Sequence, residues 1–595
     1  MRRRITLSVA ATAAALTMAP LSPAAAAPHA ADELTLTMLA TTDLHGRVQN
    51  WDYFADQPYS ERAGFETGLA KVGTVVDSVR AERGEESVFV VDNGDFLQGT
   101  PLSYYYARQE PVTETRVEHP MAAAFDAIGY DAQVVGNHEF NYGLDLLRAY
   151  EKAVDHPVLG ANVLRDGTPR PYLKPYTIET MKVPGHRPVK VGIIGLTTPG
   201  SAIWDKGNVE GRVTFQDMVE AAEKWVPVVD RRADVVVVLS HAGVGGTSSY
   251  GPDVPTENPS DVIARTVPGI DVMVVGHTHQ NVPSQVVTNE VTGEDVLLTQ
   301  PYRWGATVSQ VDIDLERGRG GRWDVVGTSA EALSTAGVEE SPEVLAATAE
   351  AHATTVAYVN QVVATSAAEL SARTSRYEDT AILDFIQDVQ TDTVDAALEG
   401  TDRADLPVLS IAAPFSREAV FPAGNVTIRD IAGLYIYDNT LEAVELTGAQ
   451  LKEYLEFSAR YFEQVPATGE VDPESITNAV VDGFPNGIPD YNYDILAGVE
   501  YDIDVSRPAG SRIVGLSYDG APVADDDRFV VAVNNYRRSG GGGFPAISTA
   551  PVVYNEQREI RQLLIERAQE VGVIDPVEFF VDNWRLVRDG VPLLP

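Results

Sequence analysis

Short apolar runs punctuate the first half of the chain, and stretches of helical periodicity separate them. The runs are ELTLTMLA (33–40), SVFVV (87–91), AQVV (132–135), VKVGIIGL (189–196), ADVVVVLS (233–240) and GIDVMVV (269–275). They are rich in Val and Ile, and several are apolar throughout. That pattern predicts strands buried on both faces and covered by helices. Helices are expected at 68–83, 120–128, 143–153 and 217–230, which gives an α/β class. A further helix is predicted over 341–365, where Ser341 and Pro342 read as an N-cap and a first helical residue. Beyond 366 the pattern changes to mixed helices and short strands, with turn clusters at GFPNGIPDYNYD and RRSGGGGFP. The tetraglycine at 540–543 reads as a loop, and no internal repeat is evident.

A chain of 595 residues exceeds one ordinary core. The expected organisation is a first domain over 33–340, the linker helix 341–365 and a second domain over 366–595. Residues 1–27 combine a basic start (MRRR), an apolar stretch and small residues (SPAAAA). That is the pattern of a secretory signal peptide. No later segment has the length and apolarity of a membrane span, and RDGVPLLP carries no anchoring signal, so a secreted protein without a membrane partner is expected.

The chain has no cysteine. Disulfides and thiolate nucleophiles are thereby excluded, and any metal site must use nitrogen and oxygen donors. The formal charge is −41. Residues 1–27 contribute three arginines and no acid, so the remainder sets 42 basic against 86 acidic residues. Such a surface repels long polyanions, so no duplex nucleic acid is expected as partner. A small phosphate ester is not excluded, because metal ions in a pocket carry their own field. No protein partner is evident.

The candidate chemistry lies just after the apolar runs. Asp43-Leu44-His45 follows the first, Asp92-Asn93-Gly94-Asp95 the second and Gly136-Asn137-His138-Glu139 the third. His241 follows ADVVVVLS, and Gly276-His277-Thr278-His279 follows GIDVMVV. In open α/β sheets the C-terminal strand ends are where sites form. In extended chain, side chains at i and i+2 share a face. On that basis Asp43 and His45 can reach one ion, and so can His277 and His279. Carboxylate plus imidazole donors suit a divalent ion of the Mn, Zn or Fe class. Glu139 is expected to support a ligand, and His119 and His156 to be structural.

These motifs, in this order, resemble the calcineurin-like metallophosphoesterases. Over its whole length the chain resembles the secreted two-domain 5′-nucleotidase family, and within it the bifunctional 2′,3′-cyclic-nucleotide 2′-phosphodiesterase/3′-nucleotidases. The resemblance implies an N-terminal metallophosphoesterase β-sandwich flanked by helices, a linker helix and a C-terminal α+β nucleotide-binding domain. It implies two divalent metal ions as cofactors. Asp43, His45, Asp95 and His279 would hold the first, and Asp95, Asn137, His241 and His277 the second. His138 would be the catalytic histidine beside the phosphoryl group.

Further segments resemble the cyclic-nucleotide branch. NHEFNYG has Asn141 where 5′-nucleotidases usually carry Asp, and the last place of Gly-His-x-His is His279, where they often carry Gln. The stretch LSIAAPFSR (409–417) is also similar, while an arginine-bearing glycine-rich phosphate motif is not evident. An Asn cannot stabilise an imidazolium as a carboxylate does, so Asn141 is expected only to orient His138. LYIYDNT (434–440) and NNYRRSGGG (534–542) imply a base clamp of Tyr437 and Tyr536, with Asn439 nearby. DYNYD (490–494) also resembles that branch, without an assignable role. The expected activity is hydrolysis of 2′,3′-cyclic nucleotides to 3′-nucleotides and then to nucleoside and phosphate, with the cleft closing about the linker helix. The alternatives are a 5′-nucleotidase or nucleotide-sugar diphosphate hydrolase, and an exported nucleotide-binding protein without turnover.

Overall fold

The computed structural model describes residues 33–594 apart from 61–63, 247, 249–253, 319–320 and 467. The expected signal peptide at 1–27 lies outside the described residues. Among the described residues no helix is long and apolar enough to cross a membrane.

The first domain is a sandwich of two six-stranded sheets. One contains, in spatial order, strands Trp323–Ser334, Thr307–Arg317, Glu33–Thr41, Val88–Asp92, Ala132–Val134 and Val158–Leu159. The other runs Asn281–Thr288, Asp295–Pro301, Val272–Val275, Val235–His241, Val189–Thr197 and Tyr176–Met181. The central strands of each sheet are parallel and the outermost pairings on the hairpin side are antiparallel.

The wholly apolar runs follow from this layering. In Val235–His241 every residue is buried. Val235, Val237 and Leu239 enter the core between the sheets. Val236 and Val238 face the other way, into a core under helix Met218–Asp230. Period-2 alternation thus divides one strand between two apolar cores, which requires apolar residues at every position. The first sheet repeats the device: Leu36, Met38, Phe89 and Val91 fill the inter-sheet core, while Leu39, Val88 and Val90 pack under the opposite helices.

The four expected helices form as Leu69–Arg83, Pro120–Ile128, Leu144–Ala153 and Met218–Asp230. The linker helix is shorter than expected, spanning Pro342–Val359. Strand Val362–Ser366 follows it and pairs with Gly424–Thr427 and Val573–Ile574. The helix packs mainly on the first domain, with Val344 in that core and Tyr53 bonded to His352 at 2.9 Å, while Tyr358 near its end packs against the core of the second domain.

The second domain carries a mixed sheet of strands Ile495–Ala497, Val408–Ala412, Arg528–Asn534, Thr440–Thr447 and Val552–Glu559. Leu441 pairs with Asn534. The segments before Thr440 and after Asn534 therefore leave the sheet at one edge, and Tyr437 and Tyr536 lie on them.

Candidate active site

Five strands deliver the candidate ligands. Asp43 and His45 follow Thr41, Asp95 follows Asp92, Asn137 follows Val134, His241 closes its own strand, and His277 and His279 follow Val275. The backbone there is not extended, contrary to the i, i+2 expectation. Asp43 (φ 52°), His45 (49°), Asp95 (60°), His277 (67°) and His279 (50°) all adopt left-handed φ. Each such residue costs roughly 1–3 kcal/mol and persists only where surrounding contacts enforce it. Those contacts are present. Asp43 N–H donates to the Gly94 carbonyl at 2.9 Å, and His45 N–H to the Asp95 carbonyl at 2.8 Å. The Glu139 carboxylate accepts from the backbone N–H of Asp95, Phe96, Leu97 and Gly136 at 2.6–3.0 Å. Glu139 thus holds the loop carrying Asp95, the supporting role expected of it. Gly136 is required by space, since a Cβ there would sit 2.2 Å from Asp95 Oδ1.

The side chains form overlapping groups: Asp43, His45 and His279; Asp95, His241 and His277; and His45, Asp95 and His138. His277 and His279 therefore fall in two different groups, contrary to the spacing argument. His45 Nε2 and His279 Nε2 face each other at 3.0 Å. Asn137 Oδ1 is buried without a protein hydrogen-bond partner. Two converging ring nitrogens, and an amide oxygen left without a protein partner, are donors that fit cations.

The outer ring nitrogens are fixed. His45 Nδ1–H donates to the Gln98 carbonyl (3.0 Å) and His241 Nδ1–H to the Asn93 carbonyl (2.7 Å). Both leave Nε2 toward the site. His277 Nε2 bonds Glu257 (2.8 Å), which leaves Nδ1. Partners of this kind set tautomer and ring orientation. Burial, with His138 and His279 nearby, lowers His45 to about 3 and keeps it a neutral donor. Burial opposes charge on His241, but the Asp95 carboxylate 2.9 Å away outweighs it and raises His241 to about 10. Burial would raise Asp95 as well, yet His241 and His138 hold it well below the usual carboxylate range.

His138 stands at the junction. Its ring meets that of His45 edge-on at 5.0 Å, and its N–H donates to Asp95 Oδ1 at 2.8 Å. Its Nδ1 lies 2.6 Å from Asn141 Oδ1. Asn141 Nδ2 in turn donates to Asp205 Oδ1 at 2.7 Å, and Asn208 Nδ2 donates to the Asn141 carbonyl at 3.0 Å. Sequence reasoning missed Asp205, which lies 64 residues from Asn141 between two one-turn helices. The neighbouring Trp204 stacks on His277 with centroids 5.5 Å apart. Glu257 was missed too. His119 and His156 are buried, bond Met121 N–H and Gln133, and are held neutral by burial, as expected of structural histidines.

On the second domain, Tyr437 and Tyr536 are neighbours: burial raises the Tyr437 phenol, and the nearby Tyr491 and Tyr536 add to the shift. Tyr491 stands edge-on to both, with centroids 6.0 and 6.5 Å apart. This gives DYNYD a structural role that the sequence did not supply. Asp490 takes the Arg417 guanidinium of LSIAAPFSR at 2.5 and 2.8 Å, Tyr491 faces the two rings, and Asp494 pairs with buried Arg537. Asn439 donates to Tyr435 Oη at 3.3 Å. Asp438 joins the domains, accepting from Gln98 Nε2 (2.8 Å) and Tyr142 Oη (2.7 Å) and pairing with Arg561 (2.6 Å). Burial raises the Tyr491 and Tyr536 phenols, and the Glu257 carboxylate that holds His277 adds to both shifts.

A two-sheet sandwich with histidines, carboxylates and an asparagine at one edge defines a metal-dependent phosphoesterase. Residues 36–281 match the calcineurin-like phosphoesterase family, and residues 357–549 match the 5′-nucleotidase C-terminal domain. The chain belongs to the two-domain 5′-nucleotidase family of calcineurin-like phosphoesterases, and it is a metal-dependent phosphoester hydrolase. It is 33% identical to the trifunctional nucleotide phosphoesterase protein YfkN of Bacillus subtilis over 95% of this chain, spanning 40% of that protein's length. It is 31% identical to the 2′,3′-cyclic-nucleotide 2′-phosphodiesterase/3′-nucleotidase of Haemophilus influenzae, over 93% of this chain and 88% of that protein. The fold is also that of a putative 5′-nucleotidase from Staphylococcus aureus, with TM-score 0.72 and 24% identity over 93% of this chain and all of the other.

Proposed function

We propose that this protein hydrolyses 2′,3′-cyclic nucleotides to 3′-nucleotides and then releases nucleoside and phosphate. The observation that carries this reading is the 2.6 Å contact between His138 Nδ1 and Asn141 Oδ1 at the junction of the ligand groups. With Nδ1 held there, Nε2 is the ring atom that serves the substrate. Asn141 adds no charge of its own. Burial disfavours charge on His138, but the Asp95 carboxylate and the Asn141 bond outweigh it and raise the ring above the ordinary histidine range, so it can hold a proton for delivery. The 2′ and 3′ oxygens leave as strongly basic alkoxides and need that proton. The name of the Haemophilus influenzae relative agrees with this chemistry.

In this reading Asp43, His45, Asp95 and His279 hold one divalent ion, and Asp95, Asn137, His241 and His277 hold the other. When bound, the ions supply Lewis-acid charge neutralisation at the phosphoryl oxygens and lower the pKa of water. The protein fixes the donors, through Glu139, Gln98, Asn93 and Glu257, so that none must reorganise during reaction. Tyr437 and Tyr536 take the base by its faces, which suits any base because every base has a π-face. Export through removal of residues 1–27 is part of the proposal. N-terminal sequencing of protein recovered from the growth medium tests it.

The activity test compares product release from 2′,3′-cyclic AMP, 3′-AMP and 5′-AMP, with Mn²⁺ and with chelator. Fast cleavage of the first two, slow cleavage of 5′-AMP and loss with chelator are expected. Preference for 5′-AMP would overturn the substrate assignment and leave the metal site standing.

A further inference from the structure

We infer that Asp205 is a positioning residue for His138, acting through Asn141. The inference rests on His138 as the proton donor proposed above and extends it to a residue that the motifs do not contain. The argument is one of hydrogen-bond direction. The Asn141 amide has one acceptor end and one donor end. Unaided, it could turn either end toward His138, because the two are nearly equal in shape. Asp205 removes that freedom. When ionised, its carboxylate accepts and cannot donate, and Asn141 Nδ2 points to it at 2.7 Å. Asn141 Oδ1 must then face His138 Nδ1, at 2.6 Å. An acceptor at Nδ1 places the ring proton there and directs Nε2 at the substrate.

The arrangement is built to hold this direction. Asp205 is 4% exposed and its Oδ2 makes no hydrogen bond. Burial raises its carboxyl to about 7, while the Asn141 amide and His138 favour its charged form. Asn208, three residues on, bonds the Asn141 carbonyl at 3.0 Å and fixes the backbone behind the amide. Asp205 also follows Trp204, whose ring lies on His277. One short segment therefore touches both a candidate metal ligand and the support of His138. Asp205 does not contact substrate atoms in this scheme. It supplies direction and polarisation to an amide whose own charge is zero.

The test is a substitution cycle read on two substrates of the metal-loaded enzyme, in mildly alkaline buffer where Asp205 is ionised. One substrate is 3′-AMP, whose ribose oxygen needs a proton to leave. The other is p-nitrophenyl phosphate, whose phenolate does not. His138→Ala is expected to slow 3′-AMP far more than the aryl ester. Asp205→Asn is expected to show the same selectivity at roughly 10- to 100-fold on kcat, as supporting residues do, with KM little changed. Asn141→Asp sets two carboxylates against each other and is also expected to be slow. The double variant Asn141→Asp/Asp205→Asn restores a directed chain, with the new amide donating and the new carboxylate accepting. It is expected to recover activity on 3′-AMP above both single variants by the logic of coupled sites. If Asp205→Asn does not fold, recovery of folding and activity in the double variant is the expected result. Loss in Asp205→Asn that is equal on both substrates, or a double variant no better than the singles, overturns the inference while His138 stands. An unselective His138→Ala overturns both readings.

Discussion

The candidate metal edge of the first domain and the aromatic edge of the second are both made at strand ends, yet they are held in different ways. At the first, Asp43, Asp95 and His241 are wholly or almost wholly buried, and left-handed backbone is pinned by hydrogen bonds to neighbouring loops. Rigidity there is enforced by the main chain. At the second, Tyr437, Tyr491 and Tyr536 are partly exposed rings that meet edge-on, and Arg417–Asp490 and Arg537–Asp494 brace them through side chains. The difference matches the tasks. Charge neutralisation at phosphorus tolerates little displacement of a ligand. Stacking on a base needs only a flat apolar face.

The sharpest break of this comparison is Asn137→Ala. Asn137 Oδ1 has no protein hydrogen-bond partner, so its removal takes nothing from the fold that this oxygen provides. We expect turnover to fall by more than about 100-fold, beyond the range typical of a residue that only supports a ligand. We expect Tm to stay within about 2 °C, corresponding to roughly 1 kcal/mol for a domain of this size. Bound metal measured after gel filtration should drop in parallel. Full activity with full metal would remove Asn137 from the site.

The two edges also differed in what the sequence disclosed. The candidate ligands of the first were legible because apolar runs announce buried strands, and the fold alone has little use for a carboxylate or imidazole at so many of their ends. The geometry was not legible: left-handed φ at Asp43, His45, His277 and His279 has no signature in residues that are not glycine, so extended spacing was the wrong device. Asp205 and Glu257 were invisible because nothing local marks them. Asp205 reaches Asn141 across 64 residues and from the other sheet, and Glu257 reaches His277 from the loop after the neighbouring strand. The hairpin of Thr307–Arg317 and Trp323–Ser334 carried a readable alternation that the longer apolar runs overshadowed. Tyr491 escaped because its role depends on two rings supplied by other segments.

Asp438 is where the two edges are coupled, so Asp438→Asn sharpens the comparison next. The substitution removes the charge opposite Arg561 and weakens acceptance from Gln98 and Tyr142. Hydrogen bonds to charged groups are worth about 1.5–3 kcal/mol each, and a loss in that range is expected in denaturant unfolding. Because Gln98 also holds His45 through its carbonyl, a fall in kcat should accompany the loss of stability. A variant that loses stability with kcat intact would show that the interface and the metal edge are independent.

The smallest effects are expected at the aromatic edge, and they are the ones that divide binding from chemistry. Base stacking is worth about 1–3 kcal/mol, and half-buried rings belong at the lower end. Tyr437→Ala and Tyr536→Ala should therefore raise KM for 3′-AMP by roughly tenfold, about 1.4 kcal/mol, and leave kcat nearly unchanged. With p-nitrophenyl phosphate, which has no nucleobase to place, the shift should be smaller. Tyr491→Ala decides how the edge works. If Tyr491 only props the other two rings, its loss should cost less than either, because Arg417–Asp490 still holds the segment. If it costs as much, Tyr491 is itself a wall of the base site, and the aromatic edge is a three-sided pocket instead of a two-faced clamp. A kcat effect from any of the three would break the division altogether, since a ring that tunes chemistry from the second domain is not merely holding the base.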